Sequence, residues 1–464
     1  MNWKDKVYKK SPIFLQTILL NTKALELYAE RYGKKFWKVY NEFDKLQWLS
    51  EREIQEYQLE KLKELVHYSY EYVPYYYEVM QDNKVHPDDI KKLDDIKKLP
   101  VLTRDAVRNN HRKLLSVKYP SYLLRTGHTS GTTGSSLNFH YDIKTCVVHH
   151  VADWRQKNCA GLRYGDPYAS IQGRAIVPFT QDNPPFWREN YINKQIFLSS
   201  FHLIEMNLPY YFDKLQKENI KFIEGYPSTL YILALYLNKR GESFPLRAVL
   251  TSSETLFDYQ RKAIEKAFDC KIFDFYGMAE RVVFATQCSE HKGHHLNLDY
   301  GIAEFLDSNG QPVEKCHMGK LVATSLHNYA MPFIRYSTND ASSLMGEKCS
   351  CGRCFPLMDD IATKEESIIT LPDGRLISPS VLTHPFKPMH NIIESQIIQD
   401  AIDQITIKIV KSQEYIKDDE EKLLLGFLER IGNQMKVRVE YVDSIPRTEN
   451  GKLKWVISNI KPAF

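Results

Sequence analysis

The sequence has no long apolar run. Nothing in its 464 residues approaches the roughly 18 consecutive apolar positions that a membrane-crossing helix needs, and the most apolar N-terminal stretch, residues 13–20, is broken by Gln16 and Thr17. That stretch also lacks a small-residue cleavage site, so no export signal is expected. A reducing, cytoplasmic setting without disulfides follows as the expectation. Lys9 and Lys10 ahead of it would suit a weak interfacial helix, although core packing is its expected use. There is no excess of one charge either: 62 Lys and Arg stand against 58 Asp and Glu, a net of +4. With a pI of about 8.4 and Lys interleaved with Glu, the chain shows no basic face for nucleic acid. Repeats and low-complexity tracts are absent. The remaining composition, 43% hydrophobic and 26% charged, is that of an ordinary globular chain, long enough for roughly two to four domains. The 29 Tyr are read chiefly as core filling. Cysteine is sparse, eight in all, yet three fall within residues 349–354, and that clustering asks for a metal.

The first 80 residues read as helices. Leu59, Leu62, Leu65 and Val66 keep helical spacing, and Val73-Pro74 ends that run because proline disfavours helical geometry in the residue before it. Residues 84–100 are charged and read as a surface connection. From 126 to 340, strands and helices alternate: a strand at 246–251, a helix at 258–268, a strand at 271–275. This rhythm predicts an α/β fold with mostly parallel sheets. The character changes near 355–375. Leu371-Pro372-Asp373-Gly374-Arg375 is a turn between two apolar runs, hence a hairpin. A strand at 404–410, a helix at 420–431 and a strand at 436–442 follow. The chain therefore divides into a large domain, 1–367, and a small α+β domain, 368–464.

The sharpest local signal is Thr126-Gly127-His128-Thr129-Ser130-Gly131-Thr132-Thr133-Gly134-Ser135-Ser136. Glycines free the backbone so that successive amides can form an anion nest, and the hydroxyls add donors. A polar surface turn is the plain alternative. A Walker A loop is excluded, since no Gly-Lys-Ser/Thr follows at the required spacing. Three further stretches weigh the loop toward phosphate. Residues 274–280, Asp-Phe-Tyr-Gly-Met-Ala-Glu, end a strand with a small turn and the carboxylate of Glu280. Residues 332–340 place Arg335 and Asp340 after an apolar segment. Residues 445–454 place Lys452 after Gly451.

Taken in order, these blocks resemble the adenylate-forming (AMP-binding) superfamily over roughly residues 50–460. Within it the chain resembles the phenylacetate–CoA ligase family, and most of all its branch of capsular polysaccharide biosynthesis proteins. Gly225-Tyr226-Pro227-Ser228, Thr251-Ser252-Ser253-Glu254, the helical N-terminal segment and the Cys/His elements carry that likeness.

The resemblance implies a carboxylate attacking the α-phosphate of ATP to give an acyl-adenylate and pyrophosphate, with coenzyme A or another nucleophile then taking the acyl group. Both reactants are anions, so positioning and electrostatic stabilisation carry the catalysis. By the same resemblance, Thr129, Ser130, Thr132 and Thr133, with the amides of Gly131 and Gly134, would hold the β- and γ-phosphates, Thr133 counting as catalytic. Glu280 would bind Mg²⁺, a hard ion that prefers oxygen. Ser253, Glu254, Phe275 and Tyr276, with Gly277 in the turn, would form the adenine slot. Asp340, with Arg335 in the same block, would serve the ribose end. Lys452 would span the carboxylate and α-phosphate oxygens. Gly225, Tyr226 and the aromatic loop 178–187 would line the acyl pocket. The chain departs from the family in three places: Ser136 replaces a proline, Thr363-Lys364 replaces the hinge Gly-Arg, and Glu366 or Ser367 stands for the following Asp. A lysine is a point charge, not a planar fork, so ribose clamping at the hinge would differ.

Cys349-Ser350-Cys351-Gly352-Arg353-Cys354 holds C-x-C and C-x-x-C spacings, and Cys288 and His294-His295 lie upstream. Two short pairs distant in sequence can supply the tetrahedral N/S ligands of a structural Zn²⁺. The family's pattern selects Cys288, His295, Cys349 and Cys351 over His294 and Cys354. Free thiols and a zinc-ribbon nucleic-acid module are the alternatives, the second lacking a basic patch. The leading expectation is an AMP-forming acyl-activating ligase using ATP, Mg²⁺ and a small carboxylic acid, with no transmembrane segment and an oligomeric state that admits a homodimer. The alternative is a degenerate fold of this type acting as a scaffold in polysaccharide assembly; intact Glu280 and Lys452 weigh against it.

Overall fold

The structure is a computed structural model, and it describes residues 3–129, 137–307, 309–361, 369–377, 379–386, 388–389, 391–446 and 454–460. Five helices open the chain: Trp3–Lys10, Ile13–Arg31, Lys34–Leu46, Glu51–Tyr72 and Pro74–Asp82. The fourth starts at a capping box, in which the Ser50 side chain accepts from the Glu53 amide and the Glu53 carboxylate accepts from the Ser50 amide at 2.8 Å. It ends at Val73, but Pro74 opens the next helix, since proline costs nothing at a first helical position. Residues 84–100 are more than a surface connection. They form two 3₁₀ turns, Pro87–Asp89 and Leu93–Lys98, and the segment buries Ile90, Ile96 and Leu99 together with Asp95, while its other charges stay at the surface. The Asp95 carboxylate ties this segment by accepting from the Lys91 and Lys92 amides, both at 2.9 Å.

The central sheet orders nine strands as Leu357–Met358, His294–Leu296, Phe284–Thr286, Lys271–Gly277, Ala248–Ser252, Phe222–Gly225, Tyr168–Gln172, Gln195–Ser199 and Trp187–Asn190. The five from Lys271–Gly277 to Gln195–Ser199 are parallel. Both flanks are antiparallel, so the parallel character is that of the sheet's centre. Helices Ile143–Cys159, Pro227–Arg240 and Asp258–Phe268 pack against it. A three-stranded antiparallel sheet, Gly301–Leu306, Gly319–Ser325 and Tyr336–Ser342, stands beside it.

The C-terminal part has a hairpin, Ile369–Thr370 with Leu376–Ile377, and a four-stranded sheet ordered Lys436–Tyr441, Gln404–Lys411, Ile392–Ala401 and Val456–Ser458. Helix Lys417–Ile431 covers it through Leu423, Phe427 and Ile431. Its apolar core takes in Phe201, which precedes the expected boundary in the chain, Arg375 donates to the Phe201 carbonyl at 3.2 Å, and Lys9 pairs with Glu429 at 3.3 Å. The boundary expected at 367, with the hinge residues Thr363, Lys364, Glu366 and Ser367, lies outside the described residues. No helix among those described is long and apolar enough to cross a membrane.

Candidate active site

The glycine-rich stretch joins two antiparallel strands, Arg125–His128 and Asn138–Tyr141. Ser130, Gly131, Thr132, Thr133 and Gly134 lie outside the described residues. At the neck, the Thr129 amide donates to the Leu137 carbonyl at 3.1 Å, and the Thr129 hydroxyl accepts from the Leu137 amide at 2.9 Å. Arg104, from helix Arg104–Asn109, also donates to that hydroxyl. Sequence reasoning did not select Arg104. Its charge reaches Glu280 and opposes the rise that burial imposes on that carboxyl group.

Two motifs far apart in the chain lock into one another. The Tyr276 hydroxyl donates to Asp340 at 2.7 Å. In return the Tyr336 hydroxyl, next to Arg335 in the second motif, donates to Glu280 in the first at 2.9 Å. Glu280 is 4% exposed, and burial raises its pKa above the ordinary carboxylate value. The strand Lys271–Gly277 ends at this crossing and the strand Tyr336–Ser342 runs through it. The two carboxylates therefore stand close enough to act on one another electrostatically. Arg335 has a different use. Its guanidinium is forked onto Glu304, at 3.0 and 2.8 Å, and donates to the Leu99 carbonyl at 2.7 Å. It pins the 3₁₀ segment to the second sheet, which corrects its expected place among nucleotide-facing groups.

Phe275 stacks on Phe284 with ring centres 4.6 Å apart, and Ser253 adopts a positive φ of 70° at the end of its strand. Glu254 turns back to accept from the Ser228 amide at 3.0 Å, which holds the start of helix Pro227–Arg240. Gly277 packs tightly, since a Cβ there would lie 3.3 Å from the Phe275 and Phe284 rings.

Beside Ser253 and Phe275 opens a cavity of about 550 Å³. Its walls come from strand ends of the central sheet, from helix Ile143–Cys159 and from helix Ile13–Arg31. Gly225 and Tyr226 are not among its lining residues; Glu224 is. A Cβ on Gly225 would stand 2.8 Å from the Ile171 carbonyl, so that glycine serves strand packing. Tyr226 and His384 of the small domain close over Gly173. The aromatic loop 178–187 is also absent from the lining. Its Phe179 meets Phe201 with centres 4.6 Å apart and packs on the small domain's core.

Deep in the cavity, Lys157 bridges two carboxylates, Asp153 at 2.8 Å and Glu224 at 3.0 Å. Burial works against the Lys157 charge, yet the two carboxylates hold its pKa above the ordinary lysine value. His149 and His150 stand nearby, their pKa values driven well down by burial and the neighbouring cations. Asp153 and Lys157 are one turn apart on their helix, whereas Glu224 joins them from a strand 67 residues beyond Lys157.

Cys288, His295, Cys349 and Cys351 bring one ligand atom each to within 4.8 Å of one another. Cys288 and Cys349 sulfurs are 3.6 Å apart, and Cys351 Sγ lies 3.3 Å from His295 Nε2. Thiolates held at about 2.3 Å from one tetrahedral Zn²⁺ would be separated by roughly 3.8 Å, so the donor set fits that ion. His295 Nδ1 contacts the Phe355 carbonyl at 2.8 Å, which leaves Nε2 as the ligating nitrogen. His294 turns to Asp274 at 3.0 Å, and Cys354 to the Leu46 carbonyl at 3.6 Å.

Residues 369–459 match the family model of the CapK C-terminal domain. Over 98% of its length the chain is 28% identical to Protein CapK of Staphylococcus aureus, covering 99% of that protein. It is 24% identical to the phenylacetate-coenzyme A ligase of Thermus thermophilus over 89% of this chain and 98% of that one. Among solved structures it resembles a 2-hydroxyisobutyryl-CoA ligase in complex with its acyl-AMP and CoA, with a TM-score of 0.57 and 19% identity over 89% of this chain and 91% of that chain. In sequence the chain is similar to Protein CapK and to phenylacetate-coenzyme A ligases, and its fold is that of the adenylate-forming CoA ligases.

Proposed function

We propose that the protein is an ATP-dependent, AMP-forming ligase. It joins a carboxylic acid to the α-phosphate of ATP, releases pyrophosphate, and passes the acyl group to coenzyme A or another acceptor. The observation that carries this reading is the crossed pair Tyr276–Asp340 and Tyr336–Glu280 beside the cavity. It sets two carboxylates with separate duties close together: Asp340 to accept from the ribose hydroxyls and Glu280 to hold Mg²⁺. Thr129, Ser130, Gly131, Thr132, Thr133 and Gly134 bind the β- and γ-phosphates, and Arg104 steadies their neck. Ser253, Phe275, Tyr276 and Gly277 border the adenine, with Glu254 behind them as a helix cap. Lys452, from the small domain, brings positive charge to the oxygens between which the new bond forms.

Bound at Cys288, His295, Cys349 and Cys351, Zn²⁺ is structural, since all four positions are filled by protein. The relatives' names support coenzyme A as acceptor, and the name CapK supports a place in capsular or surface polysaccharide biosynthesis. The test is a pyrophosphate-release screen of the full chain against a broad panel of carboxylic acids with Mg²⁺ and ATP. Pyrophosphate and AMP are expected. Formation of ADP and phosphate overturns adenylation, and no turnover with any acid favours a scaffold role.

A further inference from the structure

The cavity is built for charge. Asp153 and Glu224 are both committed: Lys157 pairs with each of them, and Glu224 also accepts from the Ser170 hydroxyl at 2.6 Å and the Gln195 amide at 3.3 Å. Two arginines in the same lining are not committed. Among the described residues, Arg31 forms no ion pair and no side-chain hydrogen bond, and its Nε is shut off from solvent without a partner. Arg174 has no ion pair among those residues either; its guanidinium lies over the Phe197 ring, 5.7 Å from the centre. Arg31 acts electrostatically on Asp153 and Arg174 on Glu224, so the two guanidiniums flank the Asp153–Lys157–Glu224 group. Three cations, Arg31, Lys157 and Arg174, thus face two anions. Lys23 at the rim is already paired with Glu26 at 2.7 Å.

Unpaired cations in a concave site call for an anion. The carboxylate that reacts cannot supply it, because it must turn toward the α-phosphate. We propose that the acid substrate carries a second anionic group, seated on Arg31 and Arg174, with a small dicarboxylate as its simplest form. This rests on the ligase reading and names the substrate class for it. An aryl or alkyl monocarboxylate would press on the partly buried Arg31 guanidinium and give it no partner, while Arg174, exposed at the mouth, would keep only water; a buried charged group left unsatisfied is costly. Sites built to pair with a polar group reject analogues that lack it far more strongly than apolar pockets reject a size mismatch. Charge-assisted hydrogen bonds from a planar guanidinium suit a carboxylate in particular.

The experiment is calorimetric titration of the full chain with malate and with phenylacetate, in the presence of a non-hydrolysable ATP analogue, alongside pyrophosphate release with both acids. Malate is expected to bind at least ~10-fold more tightly, the scale of one charge-assisted contact. Arg31→Gln and Arg174→Gln should each weaken malate by ~10-fold or more and leave phenylacetate within about twofold, while Arg174→Lys should recover part of the loss. An unchanged thermal midpoint shows that the variants fold, and the Lys variant serves if a Gln variant does not. Tighter binding of phenylacetate, or malate binding indifferent to both arginines, overturns the proposal. The two readings fail separately. Arginine-dependent malate binding without pyrophosphate from any acid defeats the ligase reading alone; pyrophosphate from monocarboxylates but not malate defeats the dicarboxylate alone.

Discussion

Tyr276 and Asp340 are 64 residues apart in the chain and joined by a hydrogen bond of 2.7 Å, while Tyr336 returns the same favour to Glu280 at 2.9 Å. The two bonds cross between the same two segments, so each carboxylate is oriented by a phenol from the other's motif. Glu280 has the more exposed stake in this arrangement, because it is buried and would otherwise lack that donor.

Tyr336→Phe should therefore destabilise the fold by about 1–3 kcal/mol, the cost of leaving a buried acceptor short of its donor. Urea unfolding reads it. The same variant should raise the Mg²⁺ concentration needed for half-maximal pyrophosphate release. Asp340→Ala should act on the nucleotide instead, raising KM for ATP by roughly tenfold or more through loss of a charged hydrogen-bond acceptor. Equal effects of both variants on Mg²⁺ and on ATP would dissolve the separation of duties.

Lys452→Ala should leave folding and ATP binding intact and slow adenylation by about 10²–10³, the usual cost of removing one group aimed at transition-state charge. Lys452 lies outside the described residues but within the stretch 369–459 that matches the CapK C-terminal domain, and a domain that closes over a site completes it and excludes water. Thioester formation from a supplied acyl-adenylate should lose much less, because the family resemblance implies a lysine that is rotated away for transfer. Single-turnover measurements of each half-reaction check this; equal losses in both would refute the alternation.

Residues 258–268 were legible as a helix and 271–275 as a strand because one-sided burial writes a clear period into each. The Cys/His group was legible because short pairs fix its spacing. Other features were hidden for physical reasons. The strand Ile392–Ala401 shows apolar doublets without alternation, since it sits inside the small domain's sheet with both neighbours paired. The segment 84–100 looked like surface because its three buried apolar side chains are outnumbered by its charges. Glu224, not Gly225 or Tyr226, reaches the cavity, and only strand register decides which neighbour does. Arg31 and Arg174 line one cavity with Lys157 through tertiary packing, which no local pattern reports.

Protein purified without added metal should contain one Zn²⁺ per chain by elemental analysis. Cys351→Ser should lower that content and the thermal midpoint while sparing the adenylation rate constant, because the energy of a closed four-ligand site is folding energy. His295→Asn should do the same and His294→Asn should not, as His294 is turned to Asp274. Zinc near zero with every thiol titrating freely would remove the site.

Stability should fall as the solution is acidified from neutral, because buried histidines stay neutral in the fold; His149 and His150 belong to this group, and two others give the window its lower edge. His327, buried and bonded to the Asp299 carbonyl at 2.6 Å, has its pKa pushed down to about 4 by burial. His202, bonded to the Ser199 hydroxyl at 2.7 Å, is pushed down to about 4 by burial and the Arg375 charge. In the unfolded chain both return to about 6.5. Between those values the unfolded state takes up protons that the folded state refuses, so acidification favours unfolding across that interval. At pH 5 each histidine should cost about 2 kcal/mol relative to pH 7.5. Most carboxylates stay ionised at pH 5, so the histidines dominate the slope there. Urea midpoints at the two pH values check it, and His327→Asn should remove roughly half of the two-histidine pH term whatever it does to stability at pH 7.5. A midpoint that holds steady or rises on acidification would show that these imidazoles are not held neutral by the fold.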